Sequence, residues 1–277
     1  METTMLRFVA PALFLLGTGV AFAQTSGIPP EELTNTRRQA GDSITVCVDA
    51  TGQSRAFDLD VAQAIGDALF LQVKPIEGFG GFPVNGDGFM DELTLAMNNT
   101  CDLFMGVSVS TEVQVSEVFS ITRPYVTIPF VLAVANSDWQ KLADIPLDQR
   151  LGTSMSSIGE MTYITWAQQR AKSERWVRLP YADPDLMATR VLDGTIAGMI
   201  LWQPTLAKLQ ADRPDAQKLR TIATDPVAET AIRVGALVSS RDSFLRNQVD
   251  QAIDALVADG TIQGLLDKHH YLGHAGE

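Results

Sequence analysis

Ser43-Ile44-Thr45-Val46-Cys47-Val48 opens the stretch that decides the fold. It is short and β-branched, which predicts a strand. Asp58 to Leu69 follows, with Leu59, Val61, Ala62, Ile65 and Leu69 on one helical face. Leu71 to Ile76 reads as a second strand, Gly78 to Gly88 as a glycine-rich loop and Met90 to Met97 as a second helix. Leu103-Phe104-Met105-Gly106-Val107 is apolar without alternation, the mark of a strand covered on both faces. Strand, helix, strand, helix, strand predicts a parallel sheet with covering helices.

The pattern recurs downstream. Arg150 to Thr153, Trp176 to Leu179 and Ala197 to Leu201 read as strands, separated by helices over Ser157–Lys172 and Pro184–Leu192. Ile232 to Ser239 is a further strand, and Ser243–Ala258 and Thr261–His269 are terminal helices. Two α/β units are thus joined by extended segments near Phe130–Ala135 and Val227–Arg233. Sheets whose strand ends face each other make a cleft, and ligands bind at those ends.

Outside this block, Arg7 precedes an apolar run from Phe8 to Leu16, and Ala21-Phe22-Ala23 follows. That order predicts a secretory signal over residues 1–23, too short to span a bilayer. Residues 24–41 read as a loose leader containing Pro29 and Pro30. The formal net charge is -12, which argues against nucleic-acid binding. An even cysteine count in an exported chain predicts one disulfide, Cys47 to Cys101, with two buried free thiols as the alternative. His269, His270 and His274 have no thiol or acidic companions in sequence, so no metal site is expected and the C-terminus reads as a solvated tail.

Several motifs resemble the extracellular solute-binding proteins of the amino-acid-binding type, family 3. Ala56-Phe57-Asp58-Leu59-Asp60-Val61-Ala62 is similar to the family's G-F-D-x-D first helix, and Cys101-Asp102-Leu103-Phe104-Met105-Gly106 to its buried strand. Phe119 to Tyr125, Asp193 to Ile200 and Ala258-Asp259-Gly260-Thr261 match later family segments in the same order. The resemblance covers nearly the whole chain after the signal. It implies an α/β, two-lobed periplasmic-binding-protein fold (type II), with two mixed, mostly parallel sheets. Lobe 1 is expected over 42–132 and 233–277, and lobe 2 over 133–232. It also implies a monomer that binds a solute without chemistry and delivers it to an ABC transporter permease.

The departures shape the expected ligand. Where amino-acid binders carry an arginine for the carboxylate, this chain has Val113, and where they carry an aspartate for the ammonium it has Trp202. A zwitterion would lose charge-assisted hydrogen bonds worth about 1.5–3 kcal/mol each. Cys47, Thr122-Arg123-Pro124-Tyr125 and Trp202-Gln203-Pro204 resemble a narrower branch associated with PQQ-dependent quinoprotein dehydrogenases. That branch implies pyrroloquinoline quinone (PQQ) as ligand, or a ligand-free accessory role beside a quinoprotein dehydrogenase. A polar amino-acid-type importer component is the second alternative.

A planar polyanion would stack on Trp202, or Trp202 packs the lobes. Arg55, beside Gln53 at the end of the first strand, and Arg123 would fork onto carboxylates. Lys141 would reach a ligand edge, or is a solvated helix-start lysine. Tyr125 would contact the ligand, or packs the hinge. Ser154, Ser156 and Ser157 precede a helix, where backbone N–H groups make an anion site and hydroxyls cap the helix in either case. No histidine accompanies these serines in sequence, so no acyl-transfer triad is expected.

Overall fold

The computed structural model describes residues 41–76, 88–109 and 117–277. The expected export signal, residues 24–40 of the leader, all but the last residue of the glycine-rich loop, and Val113 lie outside those residues.

Lobe 1 begins with β1 (Ser43–Cys47), α1 (Arg55–Ala68), β2 (Gln72–Pro75), α2 (Phe89–Asn99) and β3 (Leu103–Ser108). The order β2-β1-β3 is parallel, as the strand–helix alternation requires. Phe57, Val61, Ala62 and Ile65 recur at helical spacing on α1 and bury that stripe against the sheet. Cys47, at the end of β1, is bonded to Cys101, just ahead of β3, with Cα atoms 5.8 Å apart. The bridge sits in a small apolar cluster with Phe89, Leu93 and Phe104.

The two lobes are joined through a pair of long antiparallel strands, β5 (Val126–Val134) and β10 (Ala231–Ser239), and the short β4 (Phe119–Ile121) also pairs with β10. The ladder of β5 changes partner at Pro129 and Phe130. Val126 to Pro129 pair with β10, and Phe130 to Val134 pair with β8 (Gly198–Trp202). Pro129 has no N–H to give, which suits a residue at that handover. The expected division after residue 132 lies a few residues beyond this point.

Lobe 2 holds β6 (Arg150–Ser154), α3 (Ile158–Gln168), β7 (Val177–Tyr181), α4 (Pro184–Leu192), β8, α5 (Gln203–Asp212) and β9 (Arg220–Ile222). β8-β6-β7 is parallel, while β5 runs antiparallel to β8 and β9. The sheets are therefore mixed: the αβ wings are parallel and the hinge strands are antiparallel. The sequence reading lacked α5. It starts immediately after β8, with Pro204 in its first turn, where a missing N–H costs nothing.

Of the C-terminal histidines expected as a solvated tail, His270 and His274 are exposed, but His269 and the chain around it dock onto lobe 1. α6 (Ser243–Ala258) and α7 (Thr261–Lys268) pack on α1. His269 then lies edge-on to Phe57, with ring centroids 5.6 Å apart, and its Nε2 meets Asp60 Oδ2 at 2.6 Å. β11 (His274–Ala275) adds to β5, and Gly276 N donates to Tyr125 O. The tail polar groups satisfy an otherwise open sheet edge, which is why it docks. No helix among the described residues is long and apolar enough to cross a membrane.

Candidate functional site

The loop after β1 turns sharply into α1, placing Gln53 and Arg55 at the mouth of the first strand. Both line a cavity of about 670 Å³ between the lobes. Its other walls are α5 of lobe 2, through Ala207, Lys208 and Ala211, and the His269–Tyr271 turn of lobe 1. Lys208 pairs with Asp212 at 2.6 Å, whereas the Arg55 guanidinium has no hydrogen-bond or ion-pair partner among the described residues. Among the described residues no carboxylate lines the cavity. Arg55 is also the first residue of α1. A cation there opposes the helix dipole by a few tenths of a kcal/mol, so helix stability does not account for it. Lys208 is neutralised by Asp212, so Arg55 is the unpaired cation of the cavity wall among the described residues.

Trp202 ends β8, opposite Phe130. Its indole is partly buried and packs on the edge of the lobe-1 core, so here it serves as lobe-to-lobe packing rather than as an open stacking face. The next residue, Gln203, is buried and donates through Nε2 to His270 O at 3.0 Å. The lobes therefore touch through Trp202 and Gln203 at the base of α5. Trp202 Nε1 and Gln203 Oε1 are buried without partners.

The segment between β6 and α3 departs from expectation. Ser157 caps α3 by accepting from Glu160 N at 3.1 Å, but the helix start is already supplied with an anion. Glu160 is only 5% exposed; its Oε2 accepts from Ser156 N at 2.7 Å and its Oε1 from Thr153 Oγ1 at 2.8 Å. Arg178 forms an ion pair with the same carboxylate. The donor of Ser156 expected for a ligand is satisfied internally, and Ser157 works as the cap. Ser154 lends its backbone O to Ser157 N. The Ser157-Ile158-Gly159-Glu160 spacing is a capping-box pattern, so this outcome was readable in the sequence.

Residues 44–272 match the model of bacterial extracellular solute-binding proteins, family 3. The chain belongs to this family. Solved structures with the same fold include the second substrate-binding domain of GlnP from Lactococcus lactis in its open conformation. It is 18% identical with a TM-score of 0.62, over 82% of this chain and 95% of that one. The probable amino-acid ABC transporter extracellular-binding protein ytmK from Bacillus subtilis is 16% identical with a TM-score of 0.63, over 82% and 97%. The L-cystine solute receptor of Neisseria gonorrhoeae, unliganded and open, is 19% identical with a TM-score of 0.59, over 87% and 95%. At these identities the likeness establishes the fold.

The structure places the remaining expected site residues of this family 3 binding protein away from the cavity. Arg123 is mostly exposed and pairs with Asp254 of α6 at 2.6 Å, while its N–H donates to Asp250 Oδ1. Lys141 caps a short turn over Leu142–Asp144 and approaches Asp225 at 3.9 Å. Tyr125 is fully buried: its hydroxyl donates to Asp58 Oδ1 at 2.6 Å and accepts from Gly106 N at 3.0 Å. It is a core tether, not a ligand contact. The Tyr125 hydroxyl is engaged on both sides, and neither Arg123 nor Lys141 lines the interlobe cavity.

The Tyr125 network also fixes the cavity's entrance. Ser54 Oγ, beside Arg55, donates to Asp58 Oδ2 at 2.7 Å. Gly106 sits at φ +81°, and a Cβ there would lie 2.8 Å from Asp58 Oδ2, so β3 can approach only as glycine. Burial raises the Asp58 carboxyl to about 6, against the opposing hydrogen bonds of Tyr125 and Ser54. An acid whose folded pKa lies above its unfolded one binds more protons when folded. Stability should therefore fall as pH rises from about 4 to about 6 and level off above. Asp58→Asn should flatten that limb in urea melts taken across the window; an unchanged slope would assign it to another group.

Proposed function

We propose that this chain captures a small anionic solute between its lobes, outside the cytoplasm, and hands it to an ABC-type importer without altering it. The observation that carries the reading is the interlobe cavity: both lobes wall it, its lining includes the unpaired guanidinium of Arg55, and no carboxylate lines it among the described residues. In a chain of net charge -12, such a lining selects the sign of the guest. A ligand that touches both walls binds the closed arrangement more tightly than the open one, which is how capture and release are coupled.

Pyrroloquinoline quinone, planar and polyanionic, is the probe suggested by the sequence resemblance. In a titration followed by tryptophan fluorescence, a carboxylate-bearing guest should bind 1:1. Arg55→Gln should then weaken it about tenfold, the worth of one charge-assisted hydrogen bond. Equal affinity in the variant would remove Arg55 from the site.

A polar amino-acid ligand is the second reading, and the probable amino-acid ABC transporter binding protein and the L-cystine receptor among the structural neighbours favour it over the quinone. It requires an acceptor for the ammonium. Among the described cavity residues no carboxylate could serve, only neutral acceptors: amides, backbone carbonyls, the Tyr271 hydroxyl and the histidine rings. Service as a ligand-free partner of a quinoprotein dehydrogenase is separated from both by its outcome: no titrated solute would shift the protein.

A further inference from the structure

Lobe 2 carries a second concavity, between α3 and β7, that shares no residue with the interlobe cavity. Its volume is about 410 Å³. Tyr163, Ala167 and Trp176 form a buried floor, and Trp176 stacks on Trp166 with centroids 5.5 Å apart and planes 25° from parallel. The polar atoms of that floor are already engaged. The Tyr163 hydroxyl donates to Trp176 O at 2.6 Å, and Trp176 Nε1 donates to Ile145 O at 2.9 Å. The floor therefore presents an apolar, aromatic surface.

The rim has the opposite character. Lys172, Arg175 and Arg178 line it, and no carboxylate does. Arg178 is held by Glu160, and Arg175 donates to Ala167 O at 3.0 Å. Lys172 has no partner among the described residues. Burial pushes the Tyr163 hydroxyl up to about 12, against the nearby charges of Arg175 and Arg178. Three cations converge here in a chain with 33 acidic and only 21 basic residues.

We propose that this groove binds an aromatic carboxylate, its ring on the Trp176 floor and its carboxylate between Lys172 and Arg175. Burying the ring supplies the non-directional part of the affinity, and the rim fixes the sign of the head group. A strand from another protein is a poorer occupant: β7 is an edge strand, but Pro180 removes one of its N–H donors.

The test is a titration of the purified protein with 2-naphthoate, read by quenching of tryptophan fluorescence. Saturable 1:1 quenching is expected, with 2-naphthylmethanol, the neutral analogue, at least about tenfold weaker. Lys172→Gln removes no hydrogen bond among the described residues and should weaken binding about threefold without touching the melt. The pair Lys172→Gln with Arg175→Gln should reach about tenfold, and Arg55→Gln should leave binding unchanged. The proposal is overturned by any of three results: no saturable quenching, equal affinity for the alcohol, or binding lost in Arg55→Gln but intact in the double variant. The last would place the naphthoate in the interlobe cavity.

Discussion

Replacing both bridge cysteines, Cys47→Ala with Cys101→Ala, should lower stability by about 4 kcal/mol. The two residues are 54 apart in sequence, and a cross-link closing a loop of that length removes a large share of the unfolded chain's freedom. Alanine is the right replacement because both positions are buried among Phe89, Leu93 and Phe104, where a serine hydroxyl would add its own desolvation cost. For a protein of this size the loss corresponds to a melting temperature lower by about 8–16 °C. Thermal melts of the wild type with and without reductant should show the same gap. A shift below about 3 °C would mean that the cluster around the bridge holds β1 and β3 together by itself.

Glu160→Leu should cost about 3 kcal/mol. Removing one partner of a buried ion pair typically costs about 3–5 kcal/mol. Arg178 keeps 29% of its side chain exposed and can rehydrate, which tempers the loss. What does not rehydrate is the rest of the network: Ser156 N and Thr153 Oγ1 lose their acceptor beneath the start of α3. The double variant Glu160→Leu with Arg178→Met should recover much of the stability, because a buried pair exchanged for apolar groups of similar volume is often neutral. Urea unfolding of the wild type, both single variants and the double variant measures the coupling directly. Additive effects would show that Glu160 acts through Ser156 and Thr153 alone.

Much of the scaffold was legible because it is written locally. The apolar runs of β3 and β8 and the Val61, Ala62 and Ile65 stripe of α1 announce their burial by pattern. Phe57, buried on the same helix, lay outside the expected face, and Leu59 and Leu69 are only partly buried. The glutamate at the start of α3 was equally local, three residues past its capping serine, and a capping-box reading finds it. The rest depends on partners far along the chain. Tyr125 is buried because Asp58, 67 residues earlier, takes its hydroxyl. Arg123 is drawn to α6 by Asp254, 131 residues later. His269 leaves solvent because Asp60, 209 residues away, meets it. No periodicity encodes such pairings. The site followed the same division: Gln53 and Arg55, fixed by the end of β1, do line the interlobe cavity, whereas Arg123, Lys141 and Tyr125 were placed by proximity to the hinge and are engaged elsewhere. Trp202 lies between these cases, at the expected strand end but packed on the opposite lobe.

The central claim is capture of an anion between the lobes, and a thermal-shift comparison tests it most directly. Wild type and Arg55→Gln are melted with pyrroloquinoline quinone, with small dicarboxylates, and with L-arginine and L-cystine. A ligand at 100 times its Kd stabilises by about 2.7 kcal/mol, which raises the melting temperature of a protein this size by about 5–10 °C. At least one anion should produce such a shift in the wild type and a clearly smaller one in Arg55→Gln, with L-arginine inert. Stabilisation by L-arginine with none from any anion would contradict the account.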